Sequence, residues 1–349
     1  MKVLITGGLG NVGASALEEL AKRGHCVRCF DLKTRPNLRK ARRMAKVTAA
    51  MPGQMEMVWG DLCRPEDLLG AVQGQDVVVH LAFIIPKLSA TGVECEAEPA
   101  WARAINVGGT INLIEAMKAQ TKPPRLLFAS SYHIYGLTQN RVPPLTLADA
   151  VRPIEHYAQH KVRCERMVRT SGLEWAIYRL AAALPLSMQL DPAMFDVPLE
   201  NRMEFVHTRD VGLAIAVGVS EPALWRQTWL IGGGARCQYY YREIAQIVLT
   251  GLGVGMLPEA AFSTMPFPTD WLDTSASEAL LHYQQRDLRD YVADMRSYLG
   301  YRRILIQVFR PLVRRLLLCK SPYWYAARRR SRDGRIAIPT EDAHASGTA

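Results

Sequence analysis

The chain has 349 residues, of which 49% are hydrophobic and 22% charged, with 25 glycines and 20 prolines. This is globular composition, long enough for one large α/β domain or two smaller ones, and it excludes a disordered or collagen-like chain. The formal charge of +10 is local: residues 301–335 carry 11 Lys/Arg against Asp333, and the first 300 residues net only +2, so an anionic partner belongs to the tail.

Met1 is followed at once by Lys-Val-Leu-Ile, a buried-strand pattern, where a secretory signal would carry a longer apolar stretch and a small-residue cleavage site. Seven scattered cysteines in such a chain suit reduced thiols and a cytoplasmic location. Val3–Thr6 reads as the first strand and Ala14–Arg23 as a helix with Leu17, Leu20 and Ala21 on one face. Cys26–Asp31 reads as the second strand. Within it Cys26 and Cys29 point to opposite faces, which speaks against a shared zinc or a redox pair. Met57–Asp61, Val77–Leu81 and Arg125–Ser130 supply the third to fifth strands, with a helical pattern over Ala102–Ala119. A helix over Glu155–Ser171 and a strand over Trp175–Leu180 follow. Strands alternating with helices at this spacing predict an α/β fold, a doubly wound parallel sheet covered on both faces.

Beyond Leu180 the regularity loosens, and Pro185, Pro192 and Pro198 break any long element. Phe205–Val206 and Trp229–Ile231 are expected to return to the sheet, and Tyr241–Leu249, Ala276–Tyr283 and Leu288–Leu299 read as helices. The expected organisation is a dinucleotide-binding domain over 1–180 with 204–233 returning to it. A small substrate lobe takes 181–203 and 234–300, a basic amphipathic tail 301–335, and a disordered end 336–349.

The first strand runs into Thr6-Gly7-Gly8-Leu9-Gly10-Asn11-Val12-Gly13 and then a helix. Gly7, Gly10 and Gly13 allow a tight turn, close approach of a pyrophosphate, and helix–strand packing. Asn11 and Val12 open the helix, whose N-terminus offers free N–H groups to phosphates. Asp31 ends the second strand about 20 residues beyond, as a dinucleotide fingerprint of Rossmann type requires. Its carboxylate suits both hydroxyls of the adenosine ribose and repels a 2′-phosphate, favouring NAD. Lys33, Arg35 and Arg39 just beyond could neutralise such a phosphate and keep NADP open. Tyr157 and Lys161 stand at i and i+4 on one helix face. A phenol near its usual pKa of about 10 is a poor base at neutral pH; a neighbouring ammonium and a positive nicotinamide ring are expected to lower it. Ser131, at the end of the fifth strand, is placed to hold the substrate oxygen against Tyr157. His156 and His160 share an i, i+4 spacing, but no HExxH pattern or third ligand accompanies them, and no metal is expected.

With these residues the chain resembles the extended short-chain dehydrogenase/reductase family, the NAD-dependent epimerase/dehydratase family, over roughly residues 1–300. The motifs are TGxxGxxG at Thr6–Gly13, Asp61-Leu62, His80–Ala82, Asn106–Thr110, Ser130–Gly136, Tyr157–Lys161 and Phe205–Asp210. The resemblance implies Tyr157 as general acid/base, Lys161 as its electrostatic partner and nicotinamide-ribose ligand, and Ser131 as the group polarising the reacting C–O. It implies Asp61 and Leu62 beside the adenine, Ala82 near the middle of the cofactor, and a homodimer. Asn106 either supports the active-site helix and a water chain or satisfies a helix backbone. His207 and Asp210 brace a late strand and helix.

The family includes alcohol/ketone oxidoreductases, sugar-nucleotide epimerases and dehydratases, and fold does not choose among them. Dehydratases carry Asp-Glu after the active-site hydroxyl residue; Tyr132 and His133 stand there and disfavour that route. The stretch from Arg179 to Phe205 is short for a nucleotide-gripping element, and Asn and Tyr-Gly of the family's Arg-x-x-Asn-x-Tyr-Gly-Pro segment are lost. The lobe is rich in apolar residues: Met188, Met194, Phe195, Phe262, Phe267 and Trp271. The expectation is hydride transfer on an apolar alcohol or ketone. A sugar-nucleotide epimerase is the alternative, and a non-catalytic NAD-binding regulator stands lower because Tyr157, Lys161 and Ser131 are all present.

In the tail, Leu305, Phe309, Leu312 and Leu316 share one helical face and Arg303, Arg310 and Arg314 another. Tyr323–Tyr325 and Arg328–Arg330 follow. The segment is too short and charged to span a bilayer. Two readings stand: an interfacial helix on an anionic membrane surface through 303–330, on the cytoplasmic face, or a helix kinked at Pro311 and packed on the body or a partner. No motif supports specific nucleic-acid binding.

Overall fold

The structure, a computed structural model, describes residues 1–86, 94–186 and 192–326. In the first half strands and helices alternate: β1 (Lys2–Thr6), α1 (Asn11–Lys22), β2 (Cys26–Asp31), α2 (Arg35–Thr48), β3 (Gln54–Trp59), α3 (Pro65–Val72) and β4 (Val77–His80). Then come α4 (Pro99–Arg103), a π-helical turn (Ala104–Gly108), α5 (Gly109–Lys118), β5 (Arg125–Ser131), α6 (His156–Thr170) and β6 (Trp175–Leu180). The remainder holds β7 (Arg202–Glu204), α7 (Thr208–Gly218), β8 (Gln227–Ile231), β9 (Gln238–Tyr240) and α8 (Tyr241–Gly251). It closes with α9 (Ser275–Leu281), α10 (Leu288–Leu299), α11 (Arg302–Val308) and α12 (Arg310–Lys320).

Seven strands form one parallel sheet in the order β3-β2-β1-β4-β5-β6-β8. Because successive strand residues point to opposite faces, each apolar run serves two cores. Val3, Ile5, Val77, Val79 and Leu127 join Leu17, Leu20, Ala214 and Ile215 of α1 and α7 on one side. Leu4, Val78, Leu126 and Phe128 join Leu68, Leu113, Met117 and Val168 of α3, α5 and α6 on the other. Small residues let α1 approach closely: a Cβ on Gly212 would lie 2.7 Å from the Ser15 backbone, and one on Gly13 2.3 Å from the Gly7 carbonyl oxygen.

A separate core beyond the strand ends gathers Phe195, Phe205, Tyr241, Ile244, Phe262, Leu288 and Val292. Met194 packs on it from outside, so Phe195 and Phe262 serve the lobe's own interior, while Met188 lies outside the described residues. Phe205–Val206 do not return to the main sheet as expected. Phe205 meets Ala182 through an isolated bridge, and the preceding residues form β7, antiparallel to β9 in a two-stranded sheet. The cause is Glu204: its fully buried carboxylate accepts hydrogen bonds from Leu272 N, Gly234 N and Gln238 Nε2, all outside the parallel sheet. Its pKa is pushed up to about 7 by burial. Trp229–Ile231 do rejoin the sheet, in β8. Two boundaries also shift. β3 starts at Gln54 and stops at Trp59, leaving Asp61 in the following turn, and the helix expected over 102–119 is interrupted by the π turn.

Candidate active site

The glycine-rich turn follows the carboxyl end of β1, in the middle of the sheet. Gly7 adopts φ +71°, and a Cβ there would sit 2.8 Å from the backbone of Ala82, so this position requires glycine. Gly10 N donates to Gly7 O (3.0 Å) and is the N-cap of α1, with no side chain capping the helix. The first N–H groups, starting at Asn11 and Val12, are therefore open to a ligand anion. Asn11 reaches the segment after β6, Nδ2 donating to Ala183 O at 3.0 Å. Asp31 Oδ2 accepts from Leu9 N (3.0 Å), and Oδ1 from Leu32 N (2.9 Å) and Asn37 Nδ2 (3.0 Å), fixing the carboxylate beside the glycine turn. Burial pushes its pKa up. Lys33, Arg35 and Arg39 are exposed, whereas Lys40 donates to Leu9 O (3.1 Å). Asp61 Oδ1 accepts from Cys63 N, Leu62 is buried against Gly109 of α5, and Ala82 N donates to Thr6 Oγ1. An uncapped helix start, a glycine that only a bare backbone fits, and a fixed carboxylate at the next strand end are the features a dinucleotide needs.

Behind this turn a buried polar chain ties strands to helix. Thr6 Oγ1 meets His80 Nδ1 (2.7 Å), His80 Nε2 meets Thr110 Oγ1 (3.0 Å), and Thr110 donates to Asn106 O (2.5 Å). Burial lowers the His80 pKa to about 3, so the imidazole is neutral. The Asn106 side chain accepts from Ile84 N (2.6 Å) and donates to Ile84 O (3.0 Å), clamping both backbone groups of the segment after Ala82. It lies 3.4 Å from His160 Nδ1 of α6, and it projects from the π turn, a feature frequent at functional sites.

Ser131, Tyr157 and Lys161 converge where β5 ends and α6 begins. Lys161 Nζ donates to Ala129 O (2.5 Å) and lies 3.5 Å from the centre of the Phe83 ring, 4.9 Å from Phe128 and 5.7 Å from Tyr157. Burial among these rings pushes its pKa down to about 7. The Tyr157 pKa is raised; the lowering expected from the sequence is that of the site with a positive nicotinamide ring beside the phenol. Burial dominates, the Ser131 hydroxyl pulls the other way, and the Glu155 and Cys95 charges add to the rise. Lys161 does not offset this, because its ammonium is directed at Ala129 and Phe83.

The helix carrying the pair is held by residues with no sequence motif of their own. Glu155 is the N-cap of α6 but does not cap it. Instead the remote Glu96 accepts from His156 N (3.1 Å) and Tyr157 N (2.8 Å), while Glu155 Oε2 lies 2.7 Å from His133 Nδ1. The His133 ring stands edge-on to Tyr157 (6.0 Å between centroids) and to Phe267 of the lobe (5.6 Å). Phe83 is edge-on to Tyr157 from the opposite chain segment (5.8 Å). Deeper, Arg179 of β6 forms a bidentate pair with Glu165 of α6 (3.0 and 2.8 Å) and donates to Tyr135 Oη (2.8 Å). Burial pushes the Glu165 carboxyl up, but the Arg179 guanidinium outweighs it and holds it below its usual value.

Other singled-out residues lie apart. His156 starts α6 and is exposed. His207 caps α7, Nδ1 accepting from Arg209 N (3.2 Å), and Asp210 accepts from Gln285 N, Arg286 N and Arg286 Nη1. Trp271 braces β9, with Nε1 donating to Tyr239 O (3.0 Å). Cys29 is buried and Cys26 exposed.

The family model described as "NAD dependent epimerase/dehydratase family" matches residues 3–183. Among curated proteins, a 3β-hydroxysteroid dehydrogenase/Δ5→4-isomerase of Mycobacterium tuberculosis is 34% identical over 168 residues, 48% of this chain and 42% of that protein. A human sterol-4α-carboxylate 3-dehydrogenase (decarboxylating) is 26% identical over 208 residues, 58% of this chain and 50% of its own. The chain thus spans about half the length of the curated relatives it matches. Among solved structures, a UDP-glucose 4-epimerase of Stenotrophomonas maltophila, with bound NAD and formylated UDP-arabinopyranose, superposes with a TM-score of 0.70. It is 20% identical, covering 85% of this chain and 97% of that one, a likeness of fold.

Proposed function

Because the chain belongs to the NAD-dependent epimerase/dehydratase family, we propose that it is an oxidoreductase acting on the alcohol or ketone carbon of an apolar, sterol-like substrate. Nicotinamide, when bound, supplies the hydride acceptor or donor. The substrate oxygen is held between the Ser131 and Tyr157 hydroxyls, and the Tyr157 phenol takes or gives its proton. Lys161 holds the ribose hydroxyls. Gly7, Gly10, Asn11, Val12 and Gly13 carry the phosphates, Asp31 the adenosine ribose, and Asp61, Leu62 and Ala82 border the cofactor. The observation supporting an apolar substrate is the pair of aromatic groups at the site, Phe83 against Tyr157 and Lys161 and Phe267 against the neighbouring His133. The names of the mycobacterial and human relatives point the same way.

The test is incubation with NAD⁺ and either a 3β-hydroxysteroid or UDP-glucose. NADH accumulating only with the steroid is the expected outcome. Interconversion of UDP-glucose and UDP-galactose without free NADH would assign the epimerase alternative instead, and nucleotide binding without turnover of either would assign the regulator.

A second reading is supported by the tail. α12 carries Pro311 in its first turn, and Arg310 Nε and Arg314 Nη1 donate inward to Val254, Gly255 and Met256 carbonyls. Leu317 is buried in the lobe core. Ile304, Leu305, Val308, Phe309, Leu312 and Leu316 remain 49–66% exposed. Packing on the body therefore accounts for one face and leaves an apolar ridge, beside exposed Arg302 and Arg315, in a stretch without an acid between Asp294 and Asp333. No helix among the described residues is long and apolar enough to cross a membrane. The charge suits an anionic bilayer surface on the cytoplasmic side better than a second, equally basic copy. Arg328–Arg330 and 336–349 lie outside the described residues. Leu312→Glu/Leu316→Glu is expected to weaken co-sedimentation with phosphatidylglycerol vesicles about tenfold or more, since each leucine contributes about 1.5–3 kcal/mol on burial. A concentration-dependent dimer dispersed by the same change would assign the ridge to the second copy. The homodimer otherwise rests on the family resemblance.

A further inference from the structure

A cavity of about 300 Å³ opens between α4 and α6, lined by Arg103 of α4 and by His156, Gln159, His160 and Arg163 of α6. His156, His160 and Arg163 fall at i, i+4 and i+7, so one helix face carries all three. Among the described residues neither the Arg103 nor the Arg163 guanidinium has a hydrogen bond or an ion pair. His160 is 6% exposed, and its Nδ1 is turned into the protein, 3.6 Å from Cys95 Sγ and 3.4 Å from Asn106 Nδ2. Its Nε2, on the far side of the ring, is left to the cavity, with no protein partner among the described residues. Burial lowers the His160 pKa first, then the charge of His156; Glu96 opposes them, and Arg103 and Arg163 lower it further. The oxygens of Glu96 are already bound by the His156 and Tyr157 amides. Two guanidinium groups beside the histidine pair repel a metal ion, whereas the same outward-facing donors suit an anion.

We propose that this cavity binds a small phosphate-type dianion, held by Arg103, Arg163 and His160 Nε2–H, and that its occupancy is felt at the nucleotide. The inference does not depend on which alcohol the enzyme oxidises. The volume lies at the small end of ligand sites, too small for a second dinucleotide and suited to a phosphate group, free or on a small ester. The paired N–H donors of a guanidinium match phosphate oxygens, and two arginines from different helices meet them from two sides. The neutral His160 ring carries its proton on Nε2 and accepts at Nδ1. An anion against Nε2 favours the imidazolium, whose Nδ1 then donates as well. Asn106 Nδ2, itself a donor to Ile84 O at 3.0 Å, is left facing a second donor. Asn106 clamps both backbone groups of Ile84, two residues past Ala82, so relief of that clash shifts the segment that borders the cofactor. Anion and nucleotide therefore oppose one another, and the opposition is reciprocal.

The probe is sulfate, a dianion throughout the neutral range, titrated calorimetrically at constant ionic strength into the full chain saturated with NAD⁺. The bound nucleotide fills the glycine turn and removes it as a competing anion site. One site per chain is expected, tightening as pH falls because binding takes up a proton at His160. Arg103→Gln/Arg163→Gln is expected to weaken sulfate about tenfold or more, the effect of losing hydrogen bonds to a charged group. Arg42→Gln/Arg43→Gln, exposed cations on α2, is expected to leave it unchanged. Saturating sulfate is expected to raise the NAD⁺ dissociation constant about fivefold or more, the lower end of coupling between sites. His160→Asn, which forms no imidazolium, is expected to lose that rise while still binding sulfate, with thermal unfolding checking each fold. Equal weakening in the two arginine variants would mark diffuse charge, and a wild type without a saturable site would leave the cavity unliganded; either overturns the proposal. A rise in the NAD⁺ constant that persists undiminished in His160→Asn is competition at the glycine turn and overturns the coupling, as does sulfate binding with no rise at all. Glycerol 3-phosphate binding more tightly than sulfate assigns the dianion to a phosphate ester, and equal binding assigns it to the free ion.

Discussion

Tyr157→Phe is expected to lower turnover about 10²–10⁴-fold, the range that general acid–base catalysis contributes, with nucleotide affinity nearly unchanged. The ring stays, so its edge contacts with Phe83 and His133 stay too. What is lost is the phenolic proton that meets the Ser131 hydroxyl. The raised pKa sharpens the expectation: burial favours the neutral phenol and pushes the Lys161 pKa down to about 7. A bound oxidised nicotinamide would supply positive charge beside the phenol, so nucleotide binding and proton release are expected to be coupled. Steady-state rates beside nucleotide titration of both proteins check this. A variant that keeps wild-type turnover would remove Tyr157 from the chemistry.

Arg179→Ala is expected to cost about 3 kcal/mol of stability, the lower end of the range for breaking a buried ion pair, because Arg169, 3.1 Å from Glu165, keeps part of the compensation. Glu165 is 3% exposed and Arg179 6%, and the guanidinium also holds Tyr135, so one substitution loosens β6, α6 and the turn after Ser131 together. Denaturant unfolding should show a lowered midpoint with little change in slope. The double change Arg179→Met/Glu165→Leu, which leaves no charge behind, is expected to recover most of the loss. A single variant as stable as the wild type would mean that water replaces the pair.

The sheet was legible because its central strands β1, β4 and β5 are buried on both faces and read as apolar runs, and β6 and α10 fall where the pattern put them. The glycine turn was legible because steric demands at Gly7 and Gly13 tolerate no side chain. Glu96, Glu155 and Phe83 carried no signal. Glu96 caps a helix 60 residues away, and a lone Phe after Ala82 looks like any core residue until its ring is found over Lys161. Phe205–Val206 misled for a related reason: alternation marks a strand but not its sheet, and buried Glu204 decided the pairing. The tail's two faces were visible, but which faces outward was not, since arginines can as well donate to backbone carbonyls as meet water.

The strand order has a consequence for the chain as it is made. β1 pairs with β2 across a short βαβ unit, but its other neighbour is β4, whose first residue is Val77. A nascent chain lengthening at about 5–20 residues per second therefore presents β1–β2–β3 with the β1 side unpaired for about 1–4 s, the time to add the residues from Trp59 to His80. That side carries bare amides beside Val3 and Ile5, which are fully buried in the finished protein. Until β4 emerges it is a template for any extended segment nearby. Slow translation or a pause between residues 60 and 80 would lengthen that interval, so the yield of folded protein should depend on synonymous codon choice in this stretch more than in the stretch encoding α8–α10.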